Sequence, residues 1–164
     1  MRASPSIASP SSYNADMHTT IFALLAMGAG CCIALQASAN GKFRHNIDSP
    51  LFASYFSICG TILTATLAML LIRPSLPSTA AIRETPWWNW IGGPLGALIV
   101  LAGATLTREL GAAAFIALVV GGQLLCSLFL DHFALMGLDQ KVLTPGRVLG
   151  AILVVVGVVC IKKL

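Results

Sequence analysis

Five separate runs of about twenty apolar residues constrain this chain more than any other feature. The hydrocarbon core of a bilayer is ~30 Å thick, and a helix needs about 20 mostly apolar residues to cross it. Residues 19–39 (TTIFALLAMGAGCCIALQASA), 51–72 (LFASYFSICGTILTATLAMLLI), 88–107 and 112–130 meet that requirement, and 146–161 comes close to it. Lipid cannot pair backbone N–H and C=O groups, so each spanning run must be a helix. The expected fold class is all-α: a polytopic membrane protein with a bundle of five transmembrane helices. Composition agrees, with 57% hydrophobic and 10% charged residues, against about 25% charged in soluble domains.

The segments between the runs give the organisation. Residues 1–16 (MRASPSIASPSSYNAD) are rich in Ser, Ala and Pro and cannot bury enough apolar surface to fold, which predicts a disordered N-terminal tail. Met17 stands directly before the first run and is a candidate translation start, leaving 17–164 as a single five-helix domain. The Pro-containing RPSLPSTAAIRET separates the second and third runs, whereas only RELG divides the third from the fourth, which predicts an antiparallel hairpin. DHFALMGLDQKVLTP leads to the fifth run, whose short length is offset by Lys162 and Lys163 reaching to the headgroups. Pro86 and Trp87, Trp88 and Trp90 in PWWNW sit where an interfacial aromatic belt belongs.

Orientation is left open. An odd number of spans places Arg2, Arg73, Arg83, Lys141 and Arg147 on one side and Lys42, Arg44, Arg108, Lys162 and Lys163 on the other. Lys/Arg excess in short loops sets orientation, and here there is essentially none. Either one terminal helix fixes a single topology, or copies insert both ways and pair antiparallel, which would generate the inverted repeat on which many transporters are built.

Residues four apart stay on one face of a helix. Gly28, Cys32, Gln36 and Asn40 form such a stripe in the first run, Ser54, Ser57, Thr61 and Thr64 in the second, and Gln123, Ser127 and Asp131 in the fourth. The third and fifth runs carry glycine instead (Gly92, Gly93, Gly96 and Gly103; Gly146, Gly150 and Gly157), which reads as helix-packing surface. The Ser and Thr hydroxyls can bond their own backbone carbonyls. Gln36 and Gln123 differ, because a primary amide in lipid must find several partners. They either bridge the first and fourth helices or line a polar site that a substrate completes. Asp131, at the end of its run, reads as interfacial or capping, and His132 lies on the opposite face from Gln123.

Other chemistry is disfavoured. The net charge of +4 is dispersed and forms no basic face for nucleic acid. No carboxylate lies centrally in a span, where proton-coupled exporters of cations usually keep one. His18, His45 and His132 are scattered and the five cysteines form no CxxC pair, so no metal spacing recurs. Neither a nucleophile elbow nor a nucleotide-binding loop is present. The reading is therefore of a non-enzymatic protein without a cofactor.

Three segments, PWWNWIGGPLGALIV, ELGAAAFIALVVGGQLLCSLFLDHFALMGLD and LTPGRVLGAILVVVGVVCIK, resemble the YdcZ family of small inner-membrane exporters, within the drug/metabolite transporter superfamily. ALQASANGKF and DSPLFASYFSICGT fit the same pattern, so the resemblance runs from about Thr20 to the C-terminus. Departures are Ala134, where the family usually has glycine after DHF, and TRELG, where a more apolar or Pro-containing turn is common. The resemblance implies a bacterial inner-membrane protein equivalent to half of a ten-helix transporter, acting as an antiparallel homodimer or paired with a second five-helix chain. By match to the family pattern, Gln36, Asn40, Ser57, Gln123, Ser127 and Asp131 are the substrate-binding candidates. The expected function is a secondary transporter half-unit that moves a small polar, neutral or zwitterionic solute by alternating access. The alternative is a non-transporting membrane subunit that assembles with a partner membrane protein through its glycine faces.

Overall fold

The computed structural model describes residues 10–163. Residues 1–9 of the expected tail lie outside the described residues. Six α-helices follow one another: α1 (Pro10–Ile47), α2 (Pro50–Ile72), α3 (Thr79–Glu84), α4 (Gly92–Leu110), α5 (Ala112–His132) and α6 (Pro145–Lys163), with 3-10 turns at Trp87–Ile91 and Leu135–Gly137. Five segments are long and apolar enough to cross a membrane: Met17–Ile47, Pro50–Ile72, Trp87–Leu110, Ala112–His132 and Pro145–Lys162. They are the five runs read from the sequence. Contacts divide the chain into two units, one ending at Leu35 and the other running from Gln36 onward. The first is the N-terminal part of α1, and the packed helices belong to the second.

The helix ends have local causes. Helix α1 continues two turns past residue 39 through NGKFRHNI, because hydropathy reports how deep a residue sits in lipid and not how far its helix extends. It stops at Asp48, which adopts a left-handed φ of 51°. Ser49 then caps α2, its hydroxyl accepting from the Phe52 N–H at 3.2 Å, with Pro50 in the first turn, where proline's missing N–H has no cost. Helix α2 ends on Arg73, also left-handed, whose N–H bonds the Met69 carbonyl at 2.9 Å, and Pro74 cannot continue the helix. Between α4 and α5 a single residue turns the chain: Gly111, at φ 81°, a conformation that glycine adopts without a Cβ penalty. The α4–α5 hairpin is thus tighter than RELG suggested, since Arg108, Glu109 and Leu110 remain helical.

Within the second unit, α4 packs against both α2 and α5, and α5 against α6. The C-terminal turns of α1 also lie on α4. There small residues meet: a Cβ on Gly103 would touch the Ala37 Cβ at 3.4 Å, and one on Gly41 would touch the Thr107 Cβ at 3.4 Å. The sequence places Ala37 four residues from Gly41 and Gly103 four residues from Thr107, so each helix offers a small-xxx-small face that lets the backbones approach. Buried positions across the unit are correspondingly small (Ala37, Ala53, Ala104, Ala151), with Phe115 the exception. Gly121 of α5 lies against Val158 of α6. By contrast, a Cβ at Gly92, Gly93, Gly96, Gly146, Gly150 or Gly157 would meet nothing within 4 Å. Of the glycines read as packing surface, Gly103 alone packs in this chain.

This geometry predicts that Gly103→Ala leaves stability nearly unchanged, since its Cβ fits at ordinary contact distance. Gly103→Leu should force α1 from α4 and cost about 1–3 kcal/mol, whereas Gly150→Leu should have no such effect on the isolated chain. Thermal unfolding in detergent, followed by far-UV circular dichroism, would rank the three variants.

Candidate functional site

The polar groups of the spans can be placed by depth. At 1.5 Å rise per residue, Asn40 lies about 10 Å along α1 from its end at Ile47, and Ser57 about 10 Å along α2 from Pro50. The two helices meet at that end through the Asp48–Ser49 turn, so the residues share a level. They also share a hydrogen bond: Asn40 Nδ2 donates to Ser57 Oγ at 3.0 Å. Asn40 is buried, at 8% exposure. The remaining hydroxyls of α2 turn to their own backbone, as their positions predicted, with Ser54 bonding Pro50 O at 2.7 Å, Thr61 bonding Ser57 O at 3.1 Å and Thr64 bonding Gly60 O at 2.9 Å. Ser57 is thereby singled out as the member of its stripe that serves another helix.

Gln36 and Gln123 are the primary amides of the apolar spans. Gln123 is eleven residues from Ala112, about 16 Å along α5, whereas Gln36 lies four residues before Asn40, about 6 Å deeper along α1 than Asn40. Both side chains are exposed in the isolated chain, and neither hydrogen-bonds another group among the described residues. They form no bridge within this chain. Ser127, also exposed, donates to the Leu124 carbonyl one turn back at 2.9 Å.

Asp131 lies at the far end of α5 and is built into the connection to α6. Its carboxylate Oδ2 lies 3.5 Å from Arg147 Nη1, and its carbonyl accepts from the Lys141 N–H at 2.9 Å. Arg147 Nη1 also donates to the Lys141 carbonyl at 3.2 Å. His132 joins the same connection: its carbonyl accepts from Gln140 Nε2 at 3.1 Å, and its Nδ1 accepts from the Leu143 N–H at 3.4 Å. These two residues tether a loop and cap α5. Beside them, α5 and α6 enclose a cavity of about 460 Å³ whose walls include Leu125, Phe129, Phe133, Ile152 and Val155, with His132 as its polar contributor. None of the six candidates lines it.

Of the six candidates, then, Asn40 and Ser57 are brought into contact, Gln36 lies one turn deeper on α1, and Gln123, Ser127 and Asp131 lie progressively farther along α5. Reading polarity alone missed a second polar joint, between α1 and α4. Arg44 Nη1 donates to the Thr105 carbonyl at 2.8 Å and to Glu109 Oε1 at 3.3 Å. The signal was available, because Arg44 follows Ala37 and Gly41 at helical spacing on the face that meets α4.

A family model described as "putative inner membrane exporter, YdcZ" matches residues 21–160. The chain belongs to this family. It is 42% identical over 76 residues to the inner membrane protein YdcZ of Escherichia coli strain K12, a match covering 46% of this chain and 50% of that protein. The chain thus spans about half the length of this curated relative. No solved structure matches. Together with the five spanning helices, the family assignment places the protein in the inner membrane as a multi-pass chain, in a family of membrane exporters rather than of enzymes. At the one departure from the family pattern in DHFA, Ala134 occupies a left-handed conformation at φ 50°, the conformation that a family glycine would adopt freely.

Two outcomes follow. Ala134→Gly should stabilise the protein by roughly 1 kcal/mol, the cost of an L-residue in the left-handed region, as read by thermal unfolding. A double-mutant cycle on Asn40→Ala and Ser57→Ala should give a coupling of about 0.6 kcal/mol, and no more than about 1.7, as for other interhelical hydrogen bonds in membranes.

Proposed function

We propose that the protein is a half-unit of a secondary transporter, which moves a small polar solute across the inner membrane by alternating access when paired with a second five-helix chain. The observation that carries this reading is a pair of amides within the apolar spans. Gln36 and Gln123 have exposed side chains with no hydrogen-bond partner among the described residues, and Gln123 lies at the middle of α5, the level at which secondary transporters bind their substrates. An unpaired amide in hydrocarbon is costly, so a second chain and a bound solute would together supply the missing partners. Asn40 and Ser57 lie about one turn of rise nearer the membrane surface than Gln36 and would fix the geometry of the site's floor. Asp131, engaged with Arg147 at the opposite end, would stand at its mouth.

A neutral or zwitterionic solute suits this site best. Amides and hydroxyls both donate and accept, whereas no carboxylate in the central part of a span would neutralise a cation. Gly92, Gly93 and Gly96 of α4 and Gly146 and Gly150 of α6, where an added Cβ would meet nothing within 4 Å, would let a partner approach closely. An antiparallel homodimer or a heteromeric pair both satisfy these requirements.

The test compares wild type and Gln123→Ala in detergent, measuring thermal stability against a panel of metabolites. A true substrate at a hundred times its dissociation constant stabilises the protein by roughly 2.7 kcal/mol. That stabilisation should vanish in Gln123→Ala while membrane abundance stays near normal. Loss of the protein itself in that variant would count against the reading and assign Gln123 to bridging a partner membrane protein.

A further inference from the structure

The end of the bundle formed by α1, α4 and α5 holds a feature that the transport reading does not use. A cavity of about 320 Å³ is lined by Ser38, Gly41, Lys42 and His45 of α1, Thr107 and Arg108 of α4, and Ala112, the first residue of α5. Three of these side chains are basic. The carboxylate nearest in sequence to Arg108, that of Glu109, is already engaged by Arg44 at 3.3 Å. It does not line the cavity.

Two further observations give this basic cluster a ligand chemistry. The first is Thr107. Its hydroxyl is buried without a hydrogen-bond partner among the described residues, in a residue only 8% exposed. Thr61, Thr64 and Thr66 of α2 each bond the carbonyl four residues back, and Thr107 does not. Buried hydroxyls left unsatisfied are rare and costly, so this one calls for an acceptor from outside the chain. The second is the start of α5. Gly111 caps it without a side chain, and the first N–H of that helix to find a backbone partner is Phe115, which bonds the Gly111 carbonyl at 3.0 Å. The N–H groups of Ala112, Ala113 and Ala114 have no carbonyl one turn earlier, and the helix dipole adds partial positive charge at that point.

We propose that this cavity binds a phosphate group, held by Lys42 and Arg108, hydrogen-bonded by the Thr107 hydroxyl and faced by the N-terminus of α5. Lys42 lies about 7 Å along α1 from Ile47, the level at which phospholipid headgroups meet the protein. The phosphate therefore comes either from a lipid headgroup or from a free phosphate-bearing solute, and the residues that recognise it are the same. The site stands independently of the solute path at Gln36 and Gln123.

The test uses the full chain in dodecyl maltoside, with thermal unfolding as readout and two arms. One arm compares sodium phosphate with sodium chloride at matched ionic strength. The other compares added phosphatidylglycerol with the same fraction of phosphate-free diacylglycerol. Stabilisation in the lipid arm alone assigns a headgroup, in the phosphate arm alone a free phosphate, and in both arms a site open to each. The Lys42→Gln/Arg108→Gln protein, altered at two exposed positions, should bind about tenfold or more weakly, because it loses two charge-assisted contacts. Arg73→Gln/Arg83→Gln, on the other side of the membrane, should respond like wild type. Thr107→Val should weaken the response while leaving the ligand-free melting temperature unchanged or higher, a result that a purely structural hydroxyl would not give. No stabilisation in either arm overturns the proposal, as does an undiminished response in the Lys42/Arg108 variant. Should that variant not fold, Lys42→Gln alone carries the same expectation.

Discussion

Hydrocarbon offers no hydrogen bonds, and most of what is specific about this chain follows from how its polar groups cope with that. The backbone copes by forming helices. The hydroxyls of Ser54, Thr61, Thr64 and Thr66 cope by bonding carbonyls on their own helix, which keeps them neutral to packing. Asn40, a buried primary amide, instead reaches across to Ser57. Arg44 likewise crosses to α4, taking the Thr105 carbonyl and Glu109. Once these are accounted for, Gln36 and Gln123 remain within the apolar spans and Thr107 remains buried near one end. Those residues are where function is best sought, because each lacks something that another molecule can provide.

The same solvent explains why α4 occupies the centre with so little bulk. In water the burial of large side chains would drive the helices together, but a leucine in lipid gains little by moving into a protein interior. Close backbone approach matters instead, and it needs small residues. Ala37 against Gly103 and Gly41 against Thr107 supply it between α1 and α4, and Gly121 against Val158 supplies it between α5 and α6. Smooth, small faces also hold helices together without interlocking them.

The spans were legible because hydropathy responds directly to the bilayer, and all five runs became helices of the expected type. What hydropathy could not show was where α1 ends, since Asn40–Ile47 are polar yet helical. The cue was present in Asp48-Ser49-Pro50, a turn residue, a capping hydroxyl and a proline suited to a first helical turn. The packing face of α1 was harder to see. Reading for polarity selected Gly28, Cys32, Gln36 and Asn40, whereas the face that meets α4 carries Ala37, Gly41 and Arg44, with Asn40 turned to α2. The contact is made by the smallest residues, and alanine in a membrane helix is too common to stand out. Asp131 read as interfacial or capping and His132 as lying off its stripe, but their partners, Lys141 and Leu143 in the connecting loop and Arg147 in the first turn of α6, are brought in by a path that no periodicity encodes.

Depth also separates the polar residues by what an inverted partner could do with them. In an antiparallel pair the two copies are related by an axis in the membrane plane, so a residue near one surface faces its equivalent near the other. Asn40, Ser57 and Asp131 would therefore each be remote from their own counterparts. Gln123, about 16 Å along α5 from Ala112, lies at the middle of its helix, the level that inversion leaves nearly unchanged, so the Gln123 amides of two such chains could approach each other there. The even division of Lys and Arg between the two sides does not oppose such an arrangement. It persists in the folded chain, because each side commits one arginine to a carboxylate, Arg44 to Glu109 and Arg147 to Asp131. Position along the membrane normal thus bears on function more directly than residue type does: an exposed amide at the middle of its helix is the one best placed to be shared by two inverted chains.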